Sequence, residues 1–264
     1  GINFYELNFS QKTFLTEDNN DGNGNTLEAD FYQENFTNGA GISVNLGFIY
    51  KASENFRLGL AYETPTWFSE LLEESNIVEN DGFFGDTEIR VSEDPNNIYA
   101  NTAGNFFPSQ NFIYQLRTPG KLTASASYIF GKNGLISVDY INKNYQNIEL
   151  SDEIDFRNEN QFFENQLRNT SMLNIGTEWR LDRFSIRGGY SYEQSPDKNA
   201  LDSDNIEGYS FGGGYNFGNF KVDFAFSNNN RTSLYNFYPQ FGNIDPAQLN
   251  IDNKVFTATV SLNL

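Results

Sequence analysis

Between Asn19 and Asp30 the sequence carries oxygen-bearing side chains at the spacing of a metal site. Asn19, Asp21 and Asn23 alternate, Gly24 occupies the sixth position, and Asp30 ends the segment. This pattern approaches that of a calcium-binding loop, in which carboxylate and amide oxygens surround the ion. Because the first position is Asn and the last is Asp, where calcium loops have Asp and Glu, a solvated acidic loop is the alternative interpretation.

Histidine and cysteine are both missing from the 264 residues. Ser-His and Cys-His catalysis and metal sites with histidine ligands are therefore excluded, and so is a disulfide scaffold. We predict that the protein is not an enzyme, that it has no catalytic residues, and that it binds no cofactor other than the calcium considered above.

The charge and hydropathy of the chain exclude two further classes of protein. A net charge of −18 repels phosphates, so nucleic acid is not an expected partner. Only 38% of the residues are hydrophobic, and no run approaches the roughly 18 apolar residues that a transmembrane helix requires. A helical membrane protein is therefore excluded. A transmembrane β-barrel is not excluded by this composition, because each of its strands has about 10 residues and only the lipid-facing half is apolar.

Two-faced strands recur along the whole sequence. In the last segment Phe256, Ala258, Val260 and Leu262 alternate with polar residues, which is the period of a strand with one apolar face. Ten segments follow this pattern: 2–15, 41–51, 56–64, 121–130, 135–147, 171–181, 184–193, 209–217, 220–226 and 254–264. A soluble all-β sandwich or barrel has the same period and is the alternative.

The lengths of the connections distinguish these two folds. Short links at residues 52–55, 132–134, 182–183 and 218–219 alternate with long links at 65–119, 148–170, 194–208 and 228–253. Such alternation is typical of an antiparallel up-and-down transmembrane β-barrel with short periplasmic turns and longer extracellular loops. A sandwich with Greek-key links has no reason to alternate in this way. We therefore predict an all-β outer-membrane barrel with about ten strands in this chain.

The polar faces of these strands carry charges of both signs. In a narrow soluble barrel such buried charges would be costly unless paired, whereas a wide barrel can hold them as a solvated lumen network. We expect structural pairing within the wall more than a transport relay. The predicted network comprises Arg57, Glu63, Asp139, Glu178, Arg180, Arg187, Glu193, Lys221 and Asp223.

Several short motifs resemble the FadL/TodX family of outer-membrane transporters for long-chain fatty acids and other hydrophobic compounds. They are Gly-Ala-Gly-Ile-Ser-Val-Asn-Leu-Gly-Phe-Ile-Tyr at residues 39–50, Leu-Gly-Leu-Ala-Tyr at 58–62 followed by Thr64-Pro65, Leu-Arg-Thr-Pro-Gly at 116–120, Arg-Gly-Gly-Tyr at 187–190 and Gly-Gly-Gly-Tyr at 212–215. The resemblance covers most of residues 38–264. It implies a fourteen-stranded barrel plugged by an N-terminal hatch. On that basis residues 1–264 are expected to be a single barrel domain, the C-terminal portion of such a protein, with the hatch and first strands missing.

Aromatic residues in the predicted loops are the candidate ligand-binding residues. The link after residue 65 contains Phe83, Phe84, Phe106, Phe107 and Phe112, and a short helix predicted within 155–169 contains Phe162. In the FadL/TodX family the extracellular loops form a hydrophobic groove, so the resemblance assigns these residues to ligand capture. Exposed apolar clusters also mark protein interfaces, and the loops' own small core is the other alternative.

Two functions are compatible with this reading of the sequence. The first is passive uptake of long-chain fatty acids or other hydrophobic small molecules across the outer membrane of a Gram-negative cell envelope. Its partners would be membrane lipid and the hydrophobic ligand. The second is a structural or accessory subunit of a larger outer-membrane complex for export or barrel assembly, whose partners would be other outer-membrane proteins.

Overall fold

The computed structural model describes residues 1–20, 22, 26–91, 99–100, 109–151, 156–235 and 245–262. These residues form fifteen β-strands and one α-helix, together with 3-10 turns at Tyr145–Asn147 and Asp202–Asp204. The strands are β1 (Ile2–Asn20), β2 (Thr26–Lys51), β3 (Phe56–Glu63), β4 (Trp67–Phe84), β5 (Thr87–Val91), β6 (Tyr99–Ala100), β7 (Ser109–Arg117), β8 (Lys121–Ile129), β9 (Gly134–Asn144), β10 (Glu149–Ser151), β11 (Asn169–Leu181), β12 (Phe184–Glu193), β13 (Ile206–Asn216), β14 (Phe220–Tyr235) and β15 (Ala247–Leu262). The helix is α1 (Arg157–Gln166).

Ten of the strands form one antiparallel row that follows the order of the chain. The row runs β1, β2, β3, β8, β9, β11, β12, β13, β14, β15, and each neighbouring pair is antiparallel. Each of the ten predicted strands is found in this row, which confirms the up-and-down antiparallel topology. Within the described residues no pairing joins β1 to β15, so both outer edges of the row are open.

The prediction that residues 65–119 form one long loop is wrong. β4 continues along β2 beyond the end of β3, and β7 pairs with β4. β2 itself is 26 residues long, and its first part pairs with β1 on one edge and β4 on the other. A sheet therefore continues past the barrel in place of the predicted loop, and the five additional strands β4, β5, β6, β7 and β10 bring the total above ten.

We refer to the two parts of this structure as the wall and the extension. The wall comprises residues 45–51 of β2, together with β3, β8, β9 and β11 to β15. The extension comprises β1, residues 26–44 of β2, and β4, β5, β7 and β10. The four predicted short turns, at residues 52–55, 132–134, 182–183 and 218–219, lie at the end of the wall that is remote from the extension, which fits the predicted difference between periplasmic turns and extracellular segments.

Two proline-containing breaks separate the wall from the extension, and we call them the seam. Thr64, Pro65 and Thr66 separate β3 from β4, and residues 118–120 (Thr-Pro-Gly) separate β7 from β8. Proline has no N–H to donate to a strand ladder, so the strands stop at these positions. Threonine side chains supply replacement bonds, since the backbone N–H of Thr66 donates to Oγ1 of Thr118 at 3.0 Å.

The wall has an apolar outer face and no thick core. Leu46 and Phe256 on that face are each 80% exposed, as are many other large apolar side chains to a lesser extent. The described apolar residues that are buried are few and lie in the extension: Ala29, Phe68, Leu71 and Ile89. In a membrane this face is covered by lipid hydrocarbon, so its exposure in the isolated chain is what a barrel requires. The one described α-helix is too short to be a membrane-spanning segment.

Candidate functional site

A string of alternating charges crosses the inner face of the wall. Arg180 Nε lies 2.7 Å from Glu178 Oε1, and Arg187 Nε lies 2.7 Å from Glu178 Oε2. Nη1 of Arg187 is also 2.7 Å from Oδ1 of Asp223, which Lys221 Nζ approaches at 2.9 Å. These five residues belong to the predicted lumen network, and the structure brings them together as three cations around two carboxylates.

The string connects strands that are not neighbours. Arg187 is on β12 and Asp223 is on β14, with β13 between them. β13 presents Gly212 and Gly214 at this place, so no side chain lies between the guanidinium and the carboxylate. A Cβ atom on Gly214 would lie 2.7 Å from Oγ of Ser185 and would also overlap the Asp223 carboxylate. The glycines of β13 therefore give the Arg187 side chain room to cross.

Two other predicted lumen residues, Glu63 and Glu193, form separate ion pairs away from this string. Glu63 accepts a hydrogen bond from the Tyr5 hydroxyl at 2.8 Å and pairs with Lys121 Nζ at 2.7 Å. Glu193 approaches Nζ of Lys143 at 4.0 Å. The prediction did not include Tyr5, Lys121 or Lys143, although Lys121 lies directly opposite Glu63 on the next strand. Lys121 could have been identified from the sequence by asking which inward-facing residue of the next strand lies opposite Glu63.

Arg57 and Asp139, the last two predicted lumen residues, line a concavity on the inner face. This groove has a volume of about 760 Å³ and extends across β2, β3, β8 and β9. Its inward-facing residues are Gly47, Ile49, Arg57, Gly59, Ala61, Ser125, Ser127, Ser137 and Asp139. Most of them are small, so the groove exists because the side chains of four adjacent strands leave the space open.

The predicted ligand-binding aromatic residues do not form one cluster. Phe83 and Phe84 are consecutive residues of β4 and therefore point to opposite faces of the extension. Phe112 lies opposite Glu73, and Phe84 is 11 residues farther along the same strand, which is roughly 36 Å at about 3.3 Å per residue. Phe106 and Phe107 lie outside the described residues. Phe83 and Phe84 thus cannot line the same pocket as Phe112.

The strand that carries Phe112 contacts the residue that precedes the helix of Phe162. Tyr114, on the same face of β7 as Phe112, contacts Phe156 edge to face with a centroid distance of 5.8 Å, and Phe156 immediately precedes α1. The Tyr114 hydroxyl donates to Oε2 of Glu73 at 2.9 Å. Burial, together with the Glu73 carboxylate, raises the pKa of Tyr114 to about 12. A neutral, anchored tyrosine thus lies between the β7 aromatic residues and the helix that carries Phe162.

The helix α1 is attached to a second connection of the barrel. Lys198 Nζ donates to the backbone oxygens of Glu164 and Asn165 at 3.2 and 2.6 Å, and Lys198 N donates to the Gln166 oxygen at 2.9 Å. A cation at the last turn is favourable because the helix dipole is negative there. The connection between β10 and β11 and the connection between β12 and β13 therefore form one cap at this end of the barrel.

The predicted calcium ligands are only partly within the described residues. Asp21 and Asn23 lie outside them. Asn19 pairs with Leu27, whereas Asp30 is three positions farther along β2 and accepts a hydrogen bond from the Thr16 hydroxyl at 2.7 Å. In the described part of the chain no group of three or more acidic, histidine or cysteine side chains could hold a metal ion. Calcium binding by Asn19, Asp21, Asn23 and Asp30 stays a prediction.

A row of antiparallel strands with an apolar outer face and a charged inner face defines a transmembrane β-barrel. The sequence matches no protein-family model and no curated protein. Among solved structures the chain is similar to a FadL homologue of Pseudomonas aeruginosa, with a TM-score of 0.54 and 15% identity over 98% of this chain and 67% of that one. It is also similar to the toluene transporter TodX of Pseudomonas putida, with a TM-score of 0.53 and 12% identity over 100% of this chain and 69% of that one.

These comparisons confirm the β-barrel fold that the FadL/TodX resemblance implied, whereas the fourteen strands and the N-terminal hatch stay predictions. The chain spans about two thirds of the length of these two solved proteins. TodX is a transporter by its description, in agreement with the prediction of a non-enzyme. At these identities the similarity establishes the fold alone. It does not establish which compounds this chain transports.

Proposed function

We propose that this protein forms an outer-membrane channel for the passive uptake of hydrophobic small molecules. The observation that supports it most is the combination of an apolar outer face with a groove of about 760 Å³ on the inner face. A barrel with a purely structural role would need the apolar outer face but not the groove. The similar solved structures include two of TodX, which is described in one as a toluene transporter and in the other, a mutant, as a monoaromatic hydrocarbon channel.

In this proposal the cap formed by α1 and its neighbours receives the ligand. Of the predicted ligand-binding residues that the structure describes, Phe162 lies on α1 and Phe112 lies on β7, two residues from the Tyr114 that contacts Phe156, and these two are the ones we assign to capture. Phe83 lies among acidic residues on the outer face of the extension, opposite Glu28 and Glu88, which makes it a poorer ligand contact. Long-chain fatty acids and small aromatic hydrocarbons are the two substrate classes proposed. No coupling to an energy source is part of the proposal.

Uptake by a Gram-negative host that lacks its own channel for such compounds tests the proposal. Cells that express the protein should accumulate radiolabelled toluene or dodecanoate faster than cells with an empty vector. Replacing both Phe112 and Phe162 by Ser should slow uptake by roughly fivefold, since an aromatic contact contributes about 0.5–1.5 kcal/mol. Phe14→Ser, on the outer face of the extension where Phe14 stacks on Tyr32, is the matched control and should change nothing.

The same proposal can fail in a way that favours the subunit alternative. Purification from native membranes should yield the barrel alone with a bound hydrophobic compound. If other outer-membrane proteins co-purify stably and no such compound is bound, the protein is a subunit of a larger complex and the uptake proposal is wrong.

A further inference from the structure

The lipid-facing surface of the wall contains an apolar notch on β13, β14 and β15, with a volume of about 560 Å³. Two small residues, Gly213 of β13 and Ala258 of β15, lie on either side of Phe224 in register. Gly213 leaves open space, because the atom nearest to a Cβ built on it is a backbone oxygen 3.8 Å away. The aromatic rings that border the notch are those of Phe211, Phe224, Phe226 and Phe256.

At the end of the notch farther from the short turns, the outer face changes from aromatic to polar. Tyr209 lies at this end, with its ring centroid 6.1 Å from that of Phe226. The next outward residues beyond Phe226 and Phe256 are Asn228 and Lys254, which lie opposite each other. A tyrosine, an amide and a lysine beside an apolar surface are typical of the boundary between lipid hydrocarbon and head groups.

Asn228 has a buried oxygen without a partner. The residue is only 6% exposed, and its Nδ2 donates a long hydrogen bond of 3.4 Å to the Tyr209 hydroxyl. Within the described residues no donor reaches Oδ1, which is shielded from solvent. Buried polar groups almost always have a hydrogen-bond partner, and lipid hydrocarbon supplies none. Because Asn228 follows Phe226 on the notch side of the wall, a molecule in the notch can bring the missing donor.

The charges around Asn228 favour a neutral head group. Lys254 Nζ lies 2.6 Å from Asp252 Oδ2. Asp252 is opposite Asn230, which is in turn opposite Glu207 on β13. One cation and two carboxylates leave no excess positive charge to select an anion. Carboxylate, amide and ammonium groups together accept from and donate to hydroxyl groups, which are the polar groups of a sugar.

We propose that the notch binds an acyl chain of a membrane glycolipid whose uncharged sugar head group lies against Asn228, Asp252 and Lys254. Sugar hydroxyls donate to Oδ1 of Asn228 and to the Asp252 carboxylate, and the Lys254 ammonium donates to a sugar oxygen. The site is on the outside of the barrel, separate from the groove on the inner face, and it does not depend on the channel function.

Native mass spectrometry of the purified protein in detergent micelles tests the proposal. The probes are glucosyl-dioleoylglycerol, dioleoyl phosphatidylglycerol and dioleoyl phosphatidylcholine, which share their acyl chains and differ in the head group. The glucosyl lipid should reach half-saturation at about a tenth of the concentration that either phospholipid requires, because its sugar gains at least two hydrogen bonds. Asn228→Leu removes the free acceptor and should abolish most of this preference.

Two further variants, each with a matched control, separate the head group from the chain. Lys254→Gln should also reduce the preference for the glucosyl lipid. Lys12→Gln is its control, since Lys12 has nearly the same exposure and an ion pair of the same length, 2.6 Å to Glu34. Gly213→Leu fills the notch and should prevent binding of all three lipids. Gly188→Leu, at an outward position of β12 outside the notch, should leave binding unchanged.

Three results would overturn the proposal. Equal affinity for the three lipids, or tighter binding of phosphatidylglycerol, excludes a site for a neutral sugar. Preference that survives in both Asn228→Leu and Lys254→Gln places the sugar elsewhere. Full binding in Gly213→Leu excludes the notch as the position of the acyl chain. Heat-dependent gel migration shows that each variant is folded, and uptake by whole cells tests the channel independently.

Discussion

Gly214 lies on the inner face of β13, beside the Asp223 carboxylate that Arg187 reaches from β12. Replacement by Ala would place a methyl group 2.7 Å from Oγ of Ser185 and against Asp223, where no side chain fits without displacing the carboxylate. We expect Gly214→Ala to lower the free energy of unfolding by about 1–3 kcal/mol, the usual range for overpacking. Denaturant titration of the purified barrel in detergent measures the change.

The neighbouring Gly213 provides the control for this substitution. It has the same backbone setting but faces outward, and the nearest atom to an added Cβ is a backbone oxygen at 3.8 Å. Gly213→Ala should therefore leave the stability within about 0.5 kcal/mol of the parent, as surface substitutions do. Equal losses in the two variants would mean that the loss of glycine, and not the position of Asp223, determines the effect.

For single residues, the sequence predicts which face of the sheet a charged side chain occupies but not the residue with which it pairs. Glu178, Arg187 and Asp223 were assigned to the inner face from the period of two, and their contacts agree with that assignment. Arg187 and Asp223 are 36 positions apart in sequence and two strands apart in the sheet. Their contact depends on the space that the glycines of the intervening strand leave for the Arg187 side chain. The alternation of apolar residues gives no information about that space.

The seam is the element whose hydrogen bonds differ most from a regular ladder. Thr118 accepts a bond from the Thr66 N–H through its side chain and donates its own N–H to the Thr66 oxygen at 3.0 Å. Thr118→Val keeps the shape of the side chain and removes the acceptor. Amide hydrogen exchange at Thr66 should become about fivefold faster, corresponding to a lost hydrogen bond of about 1 kcal/mol, while the thermal transition of the wall stays unchanged.

Thr123→Val is the matched control for the seam. Thr123 lies on β8, in the regular ladder opposite Ala61, and the same substitution there should leave exchange at Thr66 as it was. Acceleration throughout the wall in Thr118→Val would contradict the interpretation, because it would mean that the seam supports the barrel and not only its junction with the extension.

The sequence predicts the wall strands and misses β4 and β7 for a physical reason. Lipid covers the outer face of the wall, so each wall strand has an apolar residue at every second position. β4 leaves the lipid and carries Glu70, Glu74 and Glu79 on its strand, so it shows no such period. Register shifts in its pairing, near Leu71 and near Ile77, also displace the alternation by one residue. Strands of this kind can be identified only from the strands with which they pair, and a single sequence does not show that pairing.

For the molecule as a whole, the two ends carry opposite charge. Six of the 17 basic residues lie in or next to the short turns: Lys51, Arg57, Lys132, Arg180, Arg183 and Lys221. The extension carries like-charged residues in direct opposition, with Asp30 opposite Asp81 and Asp18 opposite Glu28. Such pairs are destabilising, and the repulsion extends over the whole extension at low salt, where the Debye length is about 30 Å at 0.01 M.

Salt should therefore stabilise the extension selectively. Raising the ionic strength to 0.15 M shortens the Debye length to about 8 Å, so amide exchange in β2 and β4 of the extension should slow while exchange in β11 to β14 stays constant. Asp81→Asn should slow the same amides about twofold at low salt, since one opposed pair costs about 0.2–1 kcal/mol, and should reduce their dependence on salt. Asp182→Asn removes a carboxylate from the turn that also contains Arg183 and should have no effect on the extension. If both variants slow exchange in the extension equally, total charge and not the opposition of Asp30 and Asp81 governs its stability.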